Sequence, residues 1–258
     1  MVGKLEGLVV VTHASSLAVQ GVPLWGVDLR EIHVLREAKR SSRTDAHVVH
    51  HLGELPESEV IEVDGLHVAR AERSVVDAAR TERFEAGVVL ADGAKRRLMF
   101  DDDVAQDIIE RQRDWAGSIK AERVLKFSDG DAETIGESRS RVMLARIGLP
   151  KPRLQKRFYR PDGSVFARSD FYIEDYSTAG EFDGKMKYAR ALYEKSGRIE
   201  NVDVGHVVWE EKRREDAIRD QGNEMVRWVW SELDGHDQRI RDRFRAAFSR
   251  AGRRRRAG

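Results

Sequence analysis

Short β-branched runs alternate with helical spacings along the first hundred residues. Leu8–Thr12 predicts a strand, and Thr12 is placed to start a helix over His13–Val19 that Gly21 and Pro23 end. Glu31–Arg36 and Ala46–Leu52 predict two further strands, separated by the polar stretch Lys39–Asp45. Val60–Val63 and Leu66–Ala69 flank Asp64-Gly65, a dipeptide that supplies the positive φ values of a two-residue hairpin turn. Helical spacing follows over Ala71–Arg80 and Phe84–Lys95, then over the polar segments Asp102–Trp115 and Ser118–Phe127.

The second half has its own order. A helix is expected over Glu137–Ile147, ended by Gly148 and stopped by Pro150. Strands follow at Arg153–Tyr159, Val165–Ile173 and Thr178–Asp183. The segment Lys187–Ser196 is variable in pattern. A charged helix over Val207–Gln221, a strand over Glu224–Trp230 and a basic helix over Gly235–Arg250 complete the pattern. The order α-β-β-β-α-β-α argues for a mixed sheet flanked by helices. The expected organisation is an α+β domain at residues 1–98, connecting helices at 99–128, an α/β domain at 129–250 and a basic tail at 251–258.

Composition narrows the chemistry. The 258 residues include no cysteine, which excludes disulfides, zinc–thiolate sites and thiol nucleophiles. A metal would therefore sit on oxygen or imidazole ligands. No apolar run approaches the ~20 residues that span a bilayer, and the start does not resemble a signal peptide, so a cytoplasmic protein without a membrane partner is expected. The net charge of +1 conceals an asymmetry: residues 129–258 carry 28 Lys+Arg against 23 Asp+Glu, and residues 1–128 carry 18 against 22. The basic half is the one expected to meet a polyanion.

Asp170 lies inside an apolar strand, and Glu181 and Asp183 lie in the next. Residues two apart on a strand share a face, so Glu181 and Asp183 point the same way, and Asp170 can lie opposite them if the two strands form a hairpin. Converging carboxylates repel one another and lose hydration, a cost that a divalent cation removes. Six histidines of the first half, His13, His33, His47, His50, His51 and His67, match no zinc-ligand spacing and are read as surface or turn residues. No Gly-x-Ser-x-Gly turn or phosphate-cradling glycine loop is present.

Gly136-Glu137-Ser138, Gly148-Leu149-Pro150, Pro152 with Gln155, Ser169-Asp170-Phe171, Glu181-Phe182-Asp183-Gly184, the run Glu211–Asp216, and Val226-Arg227 with Trp230 together resemble the Vsr-like group of PD-(D/E)XK endonuclease folds. The resemblance covers about 100 residues in the family's order. It implies an α/β restriction-endonuclease-like domain that hydrolyses phosphodiester bonds in nucleic acid, DNA first, with Mg²⁺ or Mn²⁺. Asp170 and Glu181 would be metal ligands, joined by Asp183, which stands where the motif usually has lysine. Lys185 and Lys212 are the alternatives for the lysine's task of orienting water and offsetting charge. Glu137 is either a further catalytic carboxylate or a helix cap. Gln155, Arg168, Arg213 and Arg214 would contact nucleic acid, with Arg253–Arg256 adding sequence-independent affinity. The departure at Asp183 keeps open an inactive nuclease fold that binds nucleic acid as a regulator.

In the first half, Val11–Trp25 and Val63–Ala79 resemble the central region of the type IV abortive-infection antitoxin family, without the winged-helix segment that precedes it there. That resemblance implies a protein-interaction role. A pure protein-interaction module, with no nucleic-acid binding, is the third alternative.

Overall fold

The computed structural model describes residues 9–36, 43–45, 47–97, 100–184 and 204–257. The chain is α+β and divides into two units, Met1–Ser138 and Arg139–Gly258. Among the described residues no helix is long and apolar enough to cross a membrane.

The first unit is built on a six-stranded mixed sheet of β1 (Val9–Val11), β2 (Ile32–Arg36), β3 (Arg43–Asp45), β4 (Val48–Leu52), β5 (Val60–Val63) and β6 (Leu66–Ala69), in the order β3-β4-β2-β1-β6-β5. The expected hairpin is present: β5 and β6 pair antiparallel, and Asp64 and Gly65 have φ of 49° and 75°. The polar stretch after β2 holds β3, which its composition hides. Strand β3 is an edge strand paired only to β4, so little apolar surface is required of it.

Among the described residues, five α-helices lie wholly in this unit: α1 (His13–Val19), α2 (Ala71–Thr81), α3 (Phe84–Arg96), α4 (Asp102–Arg111) and α5 (Ser118–Phe127). Helix α2 packs against the other four, and Ala71 through Ala79 are all buried. Burial on every side brings Arg73 inside, where it donates to Asp77 at 2.7 Å and Glu59 at 2.8 Å. Helix α4 stops at Arg111, short of the expected Trp115. The chain turns there to place the Trp115 ring under the Arg80 guanidinium, 4.8 Å away.

The histidines divide, which corrects the expectation of surface and turn positions for all six. His67 is exposed and His47 lies in a turn, but His13, His33 and His50 are buried. The rings of His13, His33 and His51 stack on one another.

The second unit holds a four-stranded sheet in the order β10-β9-β8-β7. Strands β7 (Arg153–Tyr159), β8 (Val165–Ile173) and β9 (Thr178–Asp183) form an antiparallel meander. Helix α7 (Val204–Asp220) then crosses over so that β10 (Glu224–Val229) runs parallel to β9. The helix α6 (Ile135–Arg146), within which the two units divide, and α8 (Asp237–Ala257) complete it. Helix α8 continues through residues 251–257, beyond the expected end at Arg250. Alanines at 247 and 251 stay buried, and basic side chains at a helix C-terminus complement its dipole.

Alternate residues of β10 separate the two faces of this sheet. On one, Trp228 packs with Phe171 and with Phe244 of α8, and its indole N–H donates to Ser140 of α6 at 2.8 Å. On the other, Met225 and Ala179 cluster with Ile218 of α7.

Candidate functional site

The acidic residues meet on the α7 face of the second sheet. Strands β8 and β9 pair through Phe171↔Gly180 and then part. At that point the Asp170 carboxylate takes over the next backbone donor, accepting the Phe182 N–H at 2.9 Å. Asp170 thus reaches β9 one residue from Glu181. Gln155 lies opposite Asp170, between the pairs Leu154↔Phe171 and Lys156↔Ser169, with a φ of 52° that breaks the regular strand.

Glu181 projects between β10 and α7. Arg227, its register partner on β10, lies 2.9 Å from it. A single nitrogen of Arg214 on α7, Nη2, reaches both its carboxylate oxygens at 2.8 and 2.9 Å and Glu211 at 2.6 Å. A short ion pair joins Arg227 to Glu211. Burial pushes the Glu181 carboxyl up, and the charges of Arg214 and Arg227 oppose that only in part. Arg214 is held more firmly protonated by its two carboxylates, although burial opposes it. Asp183 follows on the Glu181 side of β9, half-buried, in register with Val229.

The remaining predicted residues are more scattered. Glu137 closes the start of α6, where its carboxylate accepts the Glu133 N–H and the Thr134 hydroxyl while its own N–H donates to Thr134. Lys212 is exposed and lies off the stripe of Glu211, Arg214, Glu215 and Ile218 that turns toward the sheet. Lys185 lies outside the described residues. Arg168 is exposed, and its carbonyl accepts from Arg214 at 3.2 Å. Arg213 is exposed and stands 4.7 Å over the Trp209 ring, itself 53% exposed. Beside these, a cleft of about 630 Å³ is lined by Arg160, Pro161, Phe166, Arg213, Arg214, Ala217, Asp220 and Gln221.

Glu211 and Arg227 stand in the stretches that carry the resemblance but receive no role from sequence reasoning, and Trp209 escapes it altogether. Glu211 and Arg214 stand three apart on one helix, a spacing that signals an ion pair but not its partner strand. Arg227 becomes legible only once the parallel register of β9 and β10 is known.

The donors here are carboxylate oxygens, the chemistry that Mg²⁺ and Mn²⁺ select. Asp170 and Glu181 fit a hard divalent ion on that ground. The full trio does not: among the described residues, the group of three such side chains whose ligand atoms all lie within 4.8 Å of one another is His13, His33 and His51.

No family model and no solved structure matches the chain. Two uncharacterized proteins of Mycobacterium tuberculosis, MT2308 of strain CDC 1551 and Rv2248 of strain H37Rv, are each similar to it. Each is 27% identical over 188 residues, covering 71% of this chain and 68% of the relative. A match of that length exceeds either unit alone, so each relative shares sequence with both units.

Proposed function

We propose that the second unit is a restriction-endonuclease-like module of the PD-(D/E)XK type that hydrolyses phosphodiester bonds in nucleic acid, DNA first. One observation carries the reading: Asp170 crosses to β9 beside Glu181, and the arginine that holds Glu181 also lines a cleft with two further arginines. The order of α6, three antiparallel strands, the α7 crossover and parallel β10 supports it.

Asp170 and Glu181 would hold Mg²⁺ or Mn²⁺, which when bound lowers the pKa of water and takes up charge at the phosphoryl group. The chain's own residues bind and position. A phosphate offers the same forked acceptor as a carboxylate, so a bound phosphodiester competes with Glu181 for Arg214 and releases the Glu181 oxygens. Arg213 and Arg160 contact flanking phosphates, and Trp209 offers an exposed ring on which a base can stack. Arg214 and Arg227 supply the positive charge that the family's lysine provides elsewhere. The first unit then serves as a protein-interaction domain.

The test is cleavage of plasmid and single-stranded DNA, and of RNA, by the full chain with Mn²⁺. Activity abolished by EDTA, by Glu181→Gln and by Asp170→Asn is the expected result. Activity that survives both substitutions refutes the proposal. The contact of Arg214 Nη2 with both Glu181 oxygens favours a second reading, binding without hydrolysis. That reading requires nucleic-acid affinity unaffected by EDTA and no turnover with Mn²⁺.

A further inference from the structure

We infer that His13, His33 and His51 form a binding site for a single divalent transition-metal ion, Zn²⁺ foremost, in the first unit. The three come from separate elements: His13 begins α1, His33 lies on β2 and His51 on β4. The parallel register Ile32↔Val48 to Arg36↔Leu52 sets His33 opposite Val49 and therefore on the face of His51, two residues on. Each residue offers one ring nitrogen, and these atoms all lie within 4.8 Å of one another. His33 Nδ1 and His51 Nε2 are 2.9 Å apart. Two nitrogens on one tetrahedral zinc stand ~3.3 Å apart, given bonds of ~2.0–2.1 Å. The pair is hydrogen-bonded as it stands and would open by ~0.4 Å for an ion to take the place of the proton the two nitrogens share.

His13 supplies the independent argument. It is 4% exposed, and its Nδ1 is buried without a hydrogen-bond partner. A buried imidazole nitrogen without a partner is costly, and coordination removes the cost. The backbone of His13 is also strained, with φ of 53° in a non-glycine residue directly after an extended Thr12. That conformation is what turns the ring back onto His51, 3.8 Å away between ring centroids. A strained position beside a polar cluster points to a ligand-holding role.

The surroundings agree. Glu31 Oε2 lies 4.0 Å from His33 Nε2, the nitrogen away from His51, and places a negative charge beside the cluster. The nearby cations Arg73 and Arg80 are paired to Asp77, which moderates their repulsion of an ion. Burial, as the largest cause, holds all three imidazoles below their ordinary range. His51 is partly exposed while His13 and His33 are buried, so the fourth position would open to solvent on the His51 side, where water would complete a three-histidine site.

The experiment is titration of the chelator-treated full chain with ZnCl₂ by calorimetry, and with CoCl₂ by visible absorption. One high-affinity ion per chain, retained in Glu181→Gln, and tetrahedral Co²⁺ bands are expected. His51→Gln, at the partly exposed rim, and His33→Gln beside it should each lower the Zn²⁺ affinity by more than the ~10–100-fold that follows loss of an outer-shell partner. Glu181→Gln should leave it unchanged, which separates this site from the carboxylates. His13→Ala is a weaker test because it vacates a buried position, so melting curves of each apo variant accompany the titrations. No stoichiometric binding, or binding that His51→Gln and His33→Gln both retain, overturns the inference.

Discussion

Removing Arg214 tests the electrostatic logic of the acidic face. Arg214→Ala deletes the bonds to Glu181 and Glu211 and the contact with the Arg168 carbonyl. Glu181 stays in place with a side chain 12% exposed, and Arg227 becomes its remaining guanidinium. Breaking a fully buried pair costs ~3–5 kcal/mol, and a hydrogen bond to a charged group contributes ~1.5–3 kcal/mol. Arg214 is 25% exposed and Arg227 remains, so the expected loss lies below that range, at about 2 kcal/mol. The loss should depend on pH. Burial already raises the folded Glu181 pKa, so its protonation favours the folded state, and this contribution disappears as pH rises through the folded value. Without Arg214 the folded value rises further, and the deficit should be larger at pH 8 than at pH 5. Urea titrations of wild type, Arg214→Ala, Glu181→Gln and the double variant at both pH values measure this, with a coupling of ~1–2 kcal/mol expected at pH 8. A coupling below ~0.3 kcal/mol, or a deficit equal at both pH values, would refute the account.

Three other changes probe separate parts of the molecule. Arg73→Met should cost ~3–5 kcal/mol in urea unfolding, because Glu59 and Asp77 are left buried with their charges poorly matched; a loss under ~1 kcal/mol contradicts this. Gly180→Ala puts a methyl group 2.9 Å from Trp228 Cη2 and 3.2 Å from Phe171 Cβ, so a loss of ~1–3 kcal/mol and an altered near-ultraviolet tryptophan signal are expected. Stability should fall as pH drops from 6.5 towards 4, since His51 titrates at about 4 in the folded chain and the unfolded chain takes up the proton first. The full shift corresponds to ~3.4 kcal/mol, and roughly half of that is expected because the ring is partly in water. An unfolding midpoint that does not change over this interval, or a decline preserved in full in His51→Gln, would remove His51 as its cause.

Local patterns were legible where a segment's partners impose nothing unusual. The Asp64-Gly65 hairpin, the helix His13–Val19 and the three strands of the second meander follow from turn chemistry and periodicity at the bounds observed. The candidate acids Asp170, Glu181 and Asp183 were found from strand position. What periodicity cannot show is pairing between distant strands. Arg227 meets Glu181 only through a crossover of some forty residues, and Arg214 reaches it from the intervening helix. The histidine group was missed for the same reason: positions 13, 33 and 51 carry no motif, and a parallel β2–β4 pairing brings two of them together. Glu137 shows the converse, since its Thr-x-x-Glu spacing announced the capping contact directly.

Helix α6 begins with Thr134 and Glu137 locked together and goes on to present Ser140 to the Trp228 indole. A shortened chain starting at Arg139, the first residue of the second unit, would therefore begin in mid-helix with its opening amides bare. A cut placed ahead of Glu133 keeps that first turn intact. Recombination or proteolysis between 134 and 140 should damage the tryptophan core some ninety residues downstream.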